Sequence, residues 1–115
     1  MESRNDVEAD LIELTHEMRS GWCVVVARGR ADSATADEFE AALRSAVEQS
    51  SKVAADLAAV DYISSAGLRA VLQGARAAQE CRGEFVVCRL TAGVKKVFDM
   101  SGMRHILRIE EELPC

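Results

Sequence analysis

Residues 56–68 read DLAAVDYISSAGL, and the pattern of this stretch decides the predicted fold. Its first residues complete a short apolar segment, 53–57, which predicts a buried strand. Residues 58–62 are predicted to form a loop, and a helix is predicted from about residue 65 to 80 because apolar residues recur there at helical spacing. Ser65 therefore falls in the first turn of a helix that follows a strand and a loop. Backbone N–H groups in such a first turn have no partner within the helix.

The flanking segments alternate between strand and helix patterns. Further strands are predicted at 10–18, 22–27 and 84–90, further helices at 35–49 and 91–102, and a last short strand or turn at 104–109. Ser20 and Gly21 predict a turn that joins the first two strands into a hairpin. The order is ββαβαβα(β), which predicts a single α/β domain with a mixed central sheet of four to five strands and three main helices.

Local signals set the predicted ends of these elements. Residues 29–34 are predicted as a loop, and Thr35 with Glu38 forms the pattern of a capping box at the start of the first helix. Residues 82–83 are predicted to end the second helix, with the glycine in the left-handed conformation. Gly67 lacks a Cβ in the first turn of that helix, which predicts close approach by a partner or a phosphate.

The composition restricts the class of protein. A chain of 115 residues fits one domain, and its predicted parts are a polar N-terminal arm (1–9), the domain itself (10–110) and a tail (111–115). The net charge of −5 argues against a nucleic-acid-binding surface, which is usually basic. The longest apolar run, residues 22–27, is too short to cross a bilayer, and the N-terminus lacks the apolar segment of a secretory signal. The expectation is a cytoplasmic protein that binds neither membrane nor nucleic acid.

The cysteines and histidines give no sign of a metal site or a cofactor. The four cysteines, Cys23, Cys81, Cys88 and Cys115, include no CxxC pair, and the two histidines are far apart in the sequence. Reduced thiols are expected. The sequence also contains no GxxxxGK[ST] or GxGxxG phosphate-binding loop. We therefore predict no metal, no cofactor and no kinase activity.

An esterase-like nucleophile is the sharpest enzymatic alternative for Ser65. The nucleophile elbow needs a glycine two residues before and two residues after the serine. Gly67 fits the second position, but Ile63 occupies the first. The prediction is therefore that the protein is not an enzyme.

Position alone leaves two interpretations of the serine pair open. Ser64 or Ser65 can serve as the N-cap of the second helix, a common structural role worth ~1 kcal/mol. Alternatively, one of them can accept a phosphate, because the positive end of the helix dipole tolerates the added charge of about −1.5 to −2. A phosphate at this position would change what the protein binds rather than whether it folds.

Three motifs, in the expected order, resemble the STAS domain of bacterial anti-anti-sigma factors. They are the stretch 56–68, the loop 29–36 (GRADSATA) and the segment 97–103 (VFDMSGM), and together they cover about residues 10–110. The Ser-Ala-Gly-Leu match in the first of them is the most specific. The resemblance implies the STAS fold and a partner-switching function in transcription regulation.

In that family, the unphosphorylated protein binds an anti-sigma factor that is also a serine kinase, which releases the sigma factor. The kinase then phosphorylates the serine before the small residue and the glycine, and a serine phosphatase resets the cycle. By position that serine is Ser65. Ser64 stands where the best-known members have Asp and is the less favoured acceptor. The resemblance thus implies an anti-sigma factor antagonist. We expect the chain to be a monomer or a weak dimer.

The same resemblance places a docking surface on the loop around Asp32 and at the start of the second helix. The predicted partner-binding residues are Asp32, Ser33, Thr35, Asp61, Tyr62, Ile63, Ser64, Ala66 and Gly67. An alternative within the same fold is a STAS scaffold unit of a stressosome-type complex, or a subunit of a lipid-transport complex.

Overall fold

A computed structural model of the protein describes residues 11–114, so the predicted arm at 1–9 lies outside the described residues. Five strands and three helices occur within this part of the chain. They are β1 (Ile12–Arg19), β2 (Trp22–Ala31), α1 (Ala36–Gln49), β3 (Lys52–Ile63), α2 (Ser65–Glu80), β4 (Glu84–Cys88), α3 (Ala92–Ser101) and β5 (Ile109–Glu110), with a 3-10 turn (Met103–His105) after α3. The predicted α/β class, the order of the elements and the three main helices are confirmed.

The five strands form one mixed sheet in the order β1-β2-β3-β4-β5. β1 and β2 pair antiparallel, whereas β3, β4 and β5 each run parallel to the preceding strand. The predicted hairpin is confirmed, because Ser20 and Gly21 join β1 to β2 with φ angles of 55° and 85°. Two positive φ angles are typical of the tight turn that matches the twist of antiparallel strands. Since β2, β3 and β4 run in one direction, the starts of the helices that follow them lie at one edge of the sheet.

β2 and β3 both extend further than the sequence pattern predicts. The loop predicted at 58–62 is wrong, because those residues belong to β3, and the loop predicted at 29–34 begins only after residue 31. The pairing of β2 with β3 shifts register between Val26 and Arg28, and again after Gly29. Such irregularities interrupt the alternation of buried and exposed side chains, which is the signal that predicts a strand.

All three helices pack on one face of the sheet. The core on that face combines strand residues such as Val25 and Leu57 with helix residues such as Phe39, Val71 and Phe98, all of them fully buried. Burial of these apolar side chains supplies most of the driving force for folding. The buried apolar side chains of α2 therefore hold the first turn of this helix in place against the sheet.

A second, smaller apolar cluster lies on the opposite face of the sheet. It consists of Trp22, Val24, Ala54, Val86 and Cys88. β2 is thus buried on both faces, as its continuous apolar run predicts. Leu113, in the predicted tail, packs against this cluster, so the segment after β5 takes part in the packing of the sheet.

The ends of the helices follow the local signals in part. Thr91 caps the N-terminus of α3 through its side chain, and Gly102 ends α3 with a φ of 79°, as predicted. At the end of α2, Arg82 rather than Gly83 takes the left-handed conformation, with a φ of 60°. A Cβ at Gly83 would lie 2.7 Å from the carbonyl oxygen of Ser51, so this glycine is required by close packing instead.

Candidate functional site

Two segments that were predicted from separate motifs meet at one edge of the sheet. β2 and β3 are parallel neighbours, and their last residues, Ala31 and Ile63, lie opposite each other. The backbone N–H of Ser64 donates a hydrogen bond of 2.9 Å to the carbonyl oxygen of Ala31. This bond joins the end of β2 to the start of α2, so that the loop after β2 and the first turn of α2 form one surface.

Ser64 is the N-cap of α2. Its backbone is extended (φ −100°, ψ 179°), and its hydroxyl oxygen accepts hydrogen bonds from the N–H groups of Ala66 (3.2 Å) and Gly67 (3.4 Å). These bonds satisfy two of the donors that lack a partner in the first turn of a helix. Ser64 is also half-buried, so its hydroxyl serves the helix as a hydrogen-bond acceptor and is not free on the surface.

Ser65 is the first residue of α2 and is exposed. Among residues 11–114, the side-chain bonds at the start of α2 come from Ser64, and the Ser65 hydroxyl has no partner. Ser65 lines an open depression of about 520 Å³ together with Arg69, one turn further along α2, and Met103 of the 3-10 turn. Its hydroxyl is therefore accessible and lies at the positive end of the helix dipole.

Gly67 is required by packing within the chain. A Cβ at this position would lie 2.4 Å from the carbonyl oxygen of Ala31 and 2.8 Å from Cγ1 of Ile63. Both distances are shorter than those that real Cβ atoms adopt. The prediction that the missing Cβ admits a partner or a phosphate is wrong, because the end of β2 already fills that space.

Asp32 and Thr35 hold the loop between β2 and α1. The Asp32 carboxylate accepts a hydrogen bond from the N–H of Ala34 (3.0 Å), and the Thr35 hydroxyl donates to the carbonyl oxygen of Arg30 (2.8 Å). The same hydroxyl accepts from the N–H of Asp32 (3.0 Å). Thr35 stands at the N-cap position of α1 but makes no side-chain cap bond there, so the predicted capping box with Glu38 is wrong. The hydroxyl is used by the loop instead.

The predicted partner-binding residues divide into a surface group and a buried group. The six that reach the surface are Asp32, Ser33, Asp61, Tyr62, Ser64 and Ala66. The three that are buried are Thr35, Ile63 and Gly67. Thr35 and Ile63 have buried side chains and Gly67 has no side chain, so a direct contact of these three residues with a partner stays a prediction. They support the surface from the inside.

Two arginines in the segments that meet here, Arg30 at the end of β2 and Arg69 in α2, were not among the predicted residues. The Arg30 guanidinium lies 4.3 Å from the centroid of the Tyr62 ring and 3.4 Å from the Asp32 carboxylate. Arg69 follows Ser65 by four residues, a spacing that places both side chains on the same side of a helix. That spacing could have identified Arg69. Arg30 could not be found in this way, because its place beside Tyr62 depends on the pairing of two strands.

Asp56, which begins the stretch 56–68, is buried, with 3% of its surface exposed. Its carboxylate accepts hydrogen bonds from the N–H of Ala58 (3.0 Å) and from the guanidinium of Arg89 (3.2 Å). Burial, and then the Asp56 charge, raise the pKa of the neighbouring Cys88 thiol to about 11. Asp56 is therefore a structural residue of β3, and Cys88 is an unreactive thiol at neutral pH.

Neither a metal site nor a membrane-spanning helix is found in the described part of the chain. Between residues 11 and 114, no group of three or more His, Cys, Asp or Glu side chains is placed to hold a metal ion. No helix in the same range combines the length and the apolar character needed to cross a bilayer. What the geometry does offer is an exposed hydroxyl within a polar surface that a protein can contact.

Comparison with known proteins identifies the family. A family model described as "Mlab, STAS domain" matches residues 14–109. BtrV of Bordetella bronchiseptica, named as a candidate anti-sigma factor antagonist, is 37% identical over 99 residues, which cover 85% of each chain. The chain therefore belongs to the STAS family, among the anti-sigma factor antagonists. Proteins of this kind are regulatory binding proteins and not enzymes.

Solved structures share the fold. An anti-sigma factor antagonist from Mycobacterium paratuberculosis matches with a TM-score of 0.77 at 24% identity, over 90% of this chain and 89% of that one. The Bacillus cell fate determinant SpoIIAA, solved in its phosphorylated form, matches with a TM-score of 0.64 at 19% identity, over 87% of this chain and 93% of that one. At these identities the similarity concerns the fold alone.

Proposed function

We propose that this chain is the switch of a sigma-factor pathway in the bacterial cytoplasm. In its unphosphorylated form it binds an anti-sigma factor that is also a serine kinase, and the sigma factor is released. Phosphorylation of Ser65 by that kinase ends the complex, and a serine phosphatase restores it. The similarity to BtrV supports an anti-sigma factor as the partner. The observation that supports the switch is the contrast between the two serines. The Ser65 hydroxyl is accessible, whereas the Ser64 hydroxyl caps α2.

Ser65 is the better phosphate acceptor of the two serines because a kinase must reach the hydroxyl and remove its proton. The Ser64 hydroxyl accepts two backbone hydrogen bonds, and withdrawing it into a kinase site would cost ~1 kcal/mol of capping energy. Within the described residues, the Ser65 hydroxyl accepts no such bonds, so a kinase can withdraw it without a loss of capping energy. The phosphorylated form of SpoIIAA supports the presence of a phosphate on a protein of this fold.

The domain itself would tolerate a phosphate on Ser65. The group adds about −1.5 to −2 charges, and the N-terminus of α2 interacts with it favourably by ~0.3–1 kcal/mol. The first turn of α2 contains no acidic residue that would repel it. Arg69, one turn further along the same side, adds a favourable pair worth ~0.2–0.5 kcal/mol. The fold is therefore retained, and the new charge acts on the bound partner through repulsion and loss of hydration.

The docking surface for the kinase is the edge of the sheet around Ser65. Tyr62 contributes an aromatic ring that is 43% exposed, and aromatic rings are enriched in protein interfaces. Arg30 lies over this ring and so restricts its orientation before a partner arrives. Ser33 and Asp61 add exposed polar groups. A phosphate on Ser65 would stand within this surface, where a bound partner could not avoid it.

Phosphorylation by the cognate kinase tests the proposal. The protein is incubated with ATP and each candidate anti-sigma factor kinase of the same organism, and the modified residue is located by mass spectrometry. We expect one phosphate on Ser65 in the wild type and in Ser64→Ala, and none in Ser65→Ala. Phosphate on Ser64 alone, or on neither serine with any candidate, contradicts the proposed switch.

A scaffold unit of a stressosome-type complex, or a subunit of a lipid-transport complex, is the alternative function. A scaffold role predicts an assembly that does not depend on the charge at position 65. Ser65→Asp would then leave the assembly unchanged. The accessible Ser65 hydroxyl favours the switch, because a scaffold contact has no need of an unpaired hydroxyl in the first turn of α2.

A further inference from the structure

A second groove lies further along α2. It has a volume of about 570 Å³ and is formed by three elements: the second half of α2, the start of β4 and the segment that follows the 3-10 turn. Leu72 lines both this groove and the depression beside Ser65, so the two adjoin. Residues 65, 69, 72 and 76 are spaced by three or four, which places them on one side of α2.

The floor of the groove is apolar. Leu72 and Ala75 contribute from α2, Phe85 from β4 and Leu107 from the segment after the 3-10 turn. Ile106 lies at the edge and is 65% exposed although its side chain is large and apolar. The described chain thus leaves apolar surface uncovered here, a feature that often marks an interaction site.

The rim of the groove is basic. It carries the guanidinium groups of Arg76, Arg82 and Arg108. Arg108 is neutralised within the chain, since it lies 3.4 Å from the Glu84 carboxylate and 3.2 Å from the Glu110 carboxylate. Within residues 11–114, no ion pair involves Arg76 or Arg82. In a chain of net charge −5, these two exposed arginines make the rim locally positive.

We propose that this groove docks an acidic amphipathic helix of a partner protein. The apolar side of such a helix lies on the floor and on Ile106, while its carboxylates reach Arg76 and Arg82 on the rim. Arginine suits this task because its planar fork donates two parallel hydrogen bonds to one carboxylate. The proposal goes beyond the switch at Ser65 and does not depend on it.

The shape of the groove favours a helix over a small molecule. Small-molecule sites bury roughly 70–90% of their ligand, whereas this groove is about as open to solvent as it is enclosed. The part of α2 that borders it, from residue 72 to the helix end, has a length of about 12 Å at 1.5 Å per residue. A partner helix of two to three turns matches that length.

A synthetic peptide tests the proposal directly. The probe is a fluorescein-labelled helix of about 10 residues, close to three turns, with leucines spaced by three and four, glutamates between them and a side-chain lactam that keeps it helical. Fluorescence anisotropy is expected to show saturable binding to the full chain that weakens as salt rises. Amide NMR shifts are expected at residues 72–85 and 106–108. Absence of binding, or shifts confined to other residues, overturns the proposal, as does equal binding of the same peptide with lysines in place of glutamates.

Two matched double variants separate the groove from the overall charge. Arg76→Glu with Arg82→Glu is expected to weaken peptide binding roughly tenfold or more. Lys95→Glu with Lys96→Glu changes the net charge by the same amount at exposed positions of α3 that do not line the groove, and is expected to leave the affinity within about twofold. Equal losses in the two double variants mean that binding follows net charge alone, which overturns the proposal. Far-ultraviolet circular dichroism verifies that each variant is folded.

Two further measurements identify the occupant. Ser65→Asp is expected to bind the peptide as the wild type does, and a loss in this variant assigns the peptide to the Ser65 end and overturns the proposal. If the kinase assay finds no phosphate on Ser65, the expected binding of the peptide to the groove is unchanged. The proposed switch and the proposed groove can therefore be rejected separately. Sedimentation velocity of the free chain is the second measurement. A dimer that the Arg76 and Arg82 double variant abolishes makes a second copy the occupant and overturns the proposal of an acidic partner.

Discussion

Two layers of residues at the N-terminal end of α2 differ in what holds them. The inner layer is Ala31, Ser64 and Gly67. The N–H of Ser64 donates a hydrogen bond of 2.9 Å to the carbonyl oxygen of Ala31, and that oxygen lies so close to Gly67 that no Cβ fits there. The outer layer is Ser65 and Arg69, both exposed. Within residues 64–69 the two layers alternate along the chain, yet they carry different properties. We expect substitutions in the inner layer to lower the stability and substitutions in the outer layer to change binding.

Gly67→Ala is expected to have the largest effect. The new Cβ would lie 2.4 Å from a backbone carbonyl oxygen, which cannot move aside without straining β2. We expect a loss of about 3 kcal/mol or more in the free energy of unfolding, measured by chemical denaturation.

Gly93→Ala is the matched control for that variant. Gly93 lies in α3, and a Cβ there meets nothing within 4 Å. Alanine is therefore expected to raise the stability by about 0.5–1 kcal/mol. Similar changes in the free energy of unfolding for the two substitutions would contradict the comparison. Gly67 would then be no more closely packed than a glycine on an exposed helix surface.

The buried Cys88 thiol predicts a loss of stability in alkali. Burial raises its pKa from 9.0 to about 11, so the folded protein holds this proton more tightly than the unfolded chain does. The resulting stability is complete below pH 9.0 and is lost as the pH rises through about 11. We expect a decline on the order of 2 kcal/mol from this group, measured as the difference between the wild type and Cys88→Ala across that range. Parallel pH profiles of the two proteins would contradict the assignment.

Ser64→Ala is expected to cost ~1 kcal/mol of stability, because two backbone donors at the start of α2 lose their acceptor. Thermal and chemical unfolding measure this loss. Ser64→Asp should recover most of it, since aspartate is an equally good N-cap residue. A neutral effect of Ser64→Ala would place Ser64 in the outer layer and remove the distinction between the two serines.

Ser65 is expected to have the smallest effect on stability and a large effect on binding. Ser65→Ala should change the free energy of unfolding by less than about 0.5 kcal/mol. Ser65→Asp should raise it slightly, by ~0.3–1 kcal/mol, because a negative charge is favourable at a helix N-terminus. Titration with the cognate kinase should show that Ser65→Ala binds and that Ser65→Asp binds at least about tenfold more weakly. Equal affinity of Ser65→Asp and the wild type would rule out the electrostatic account of the switch.

The helices could be predicted from the sequence more fully than the strands. The bounds of α2 coincide with the predicted 65–80, because a stripe of apolar residues and a serine cap are local signals. The end of β3 was missed, because its pairing with β2 changes register and breaks the alternation on which a strand prediction depends. The capping box was wrong for a related reason. Thr35 bonds to the carbonyl of Arg30, whose position follows from the path of β2.

The sequence by itself determined the α/β class, the order of the elements and the place of Ser65 at the start of α2. These properties depend on residues within a few positions of one another, whose spacing and capping chemistry can be seen in the chain. Only the tertiary structure decided that Gly67 faces Ala31, that Ile63 is buried under the surface, and that Arg76 and Arg82 border an apolar groove. Those properties depend on contacts between residues far apart in the chain, which form only when the sheet and helices pack together.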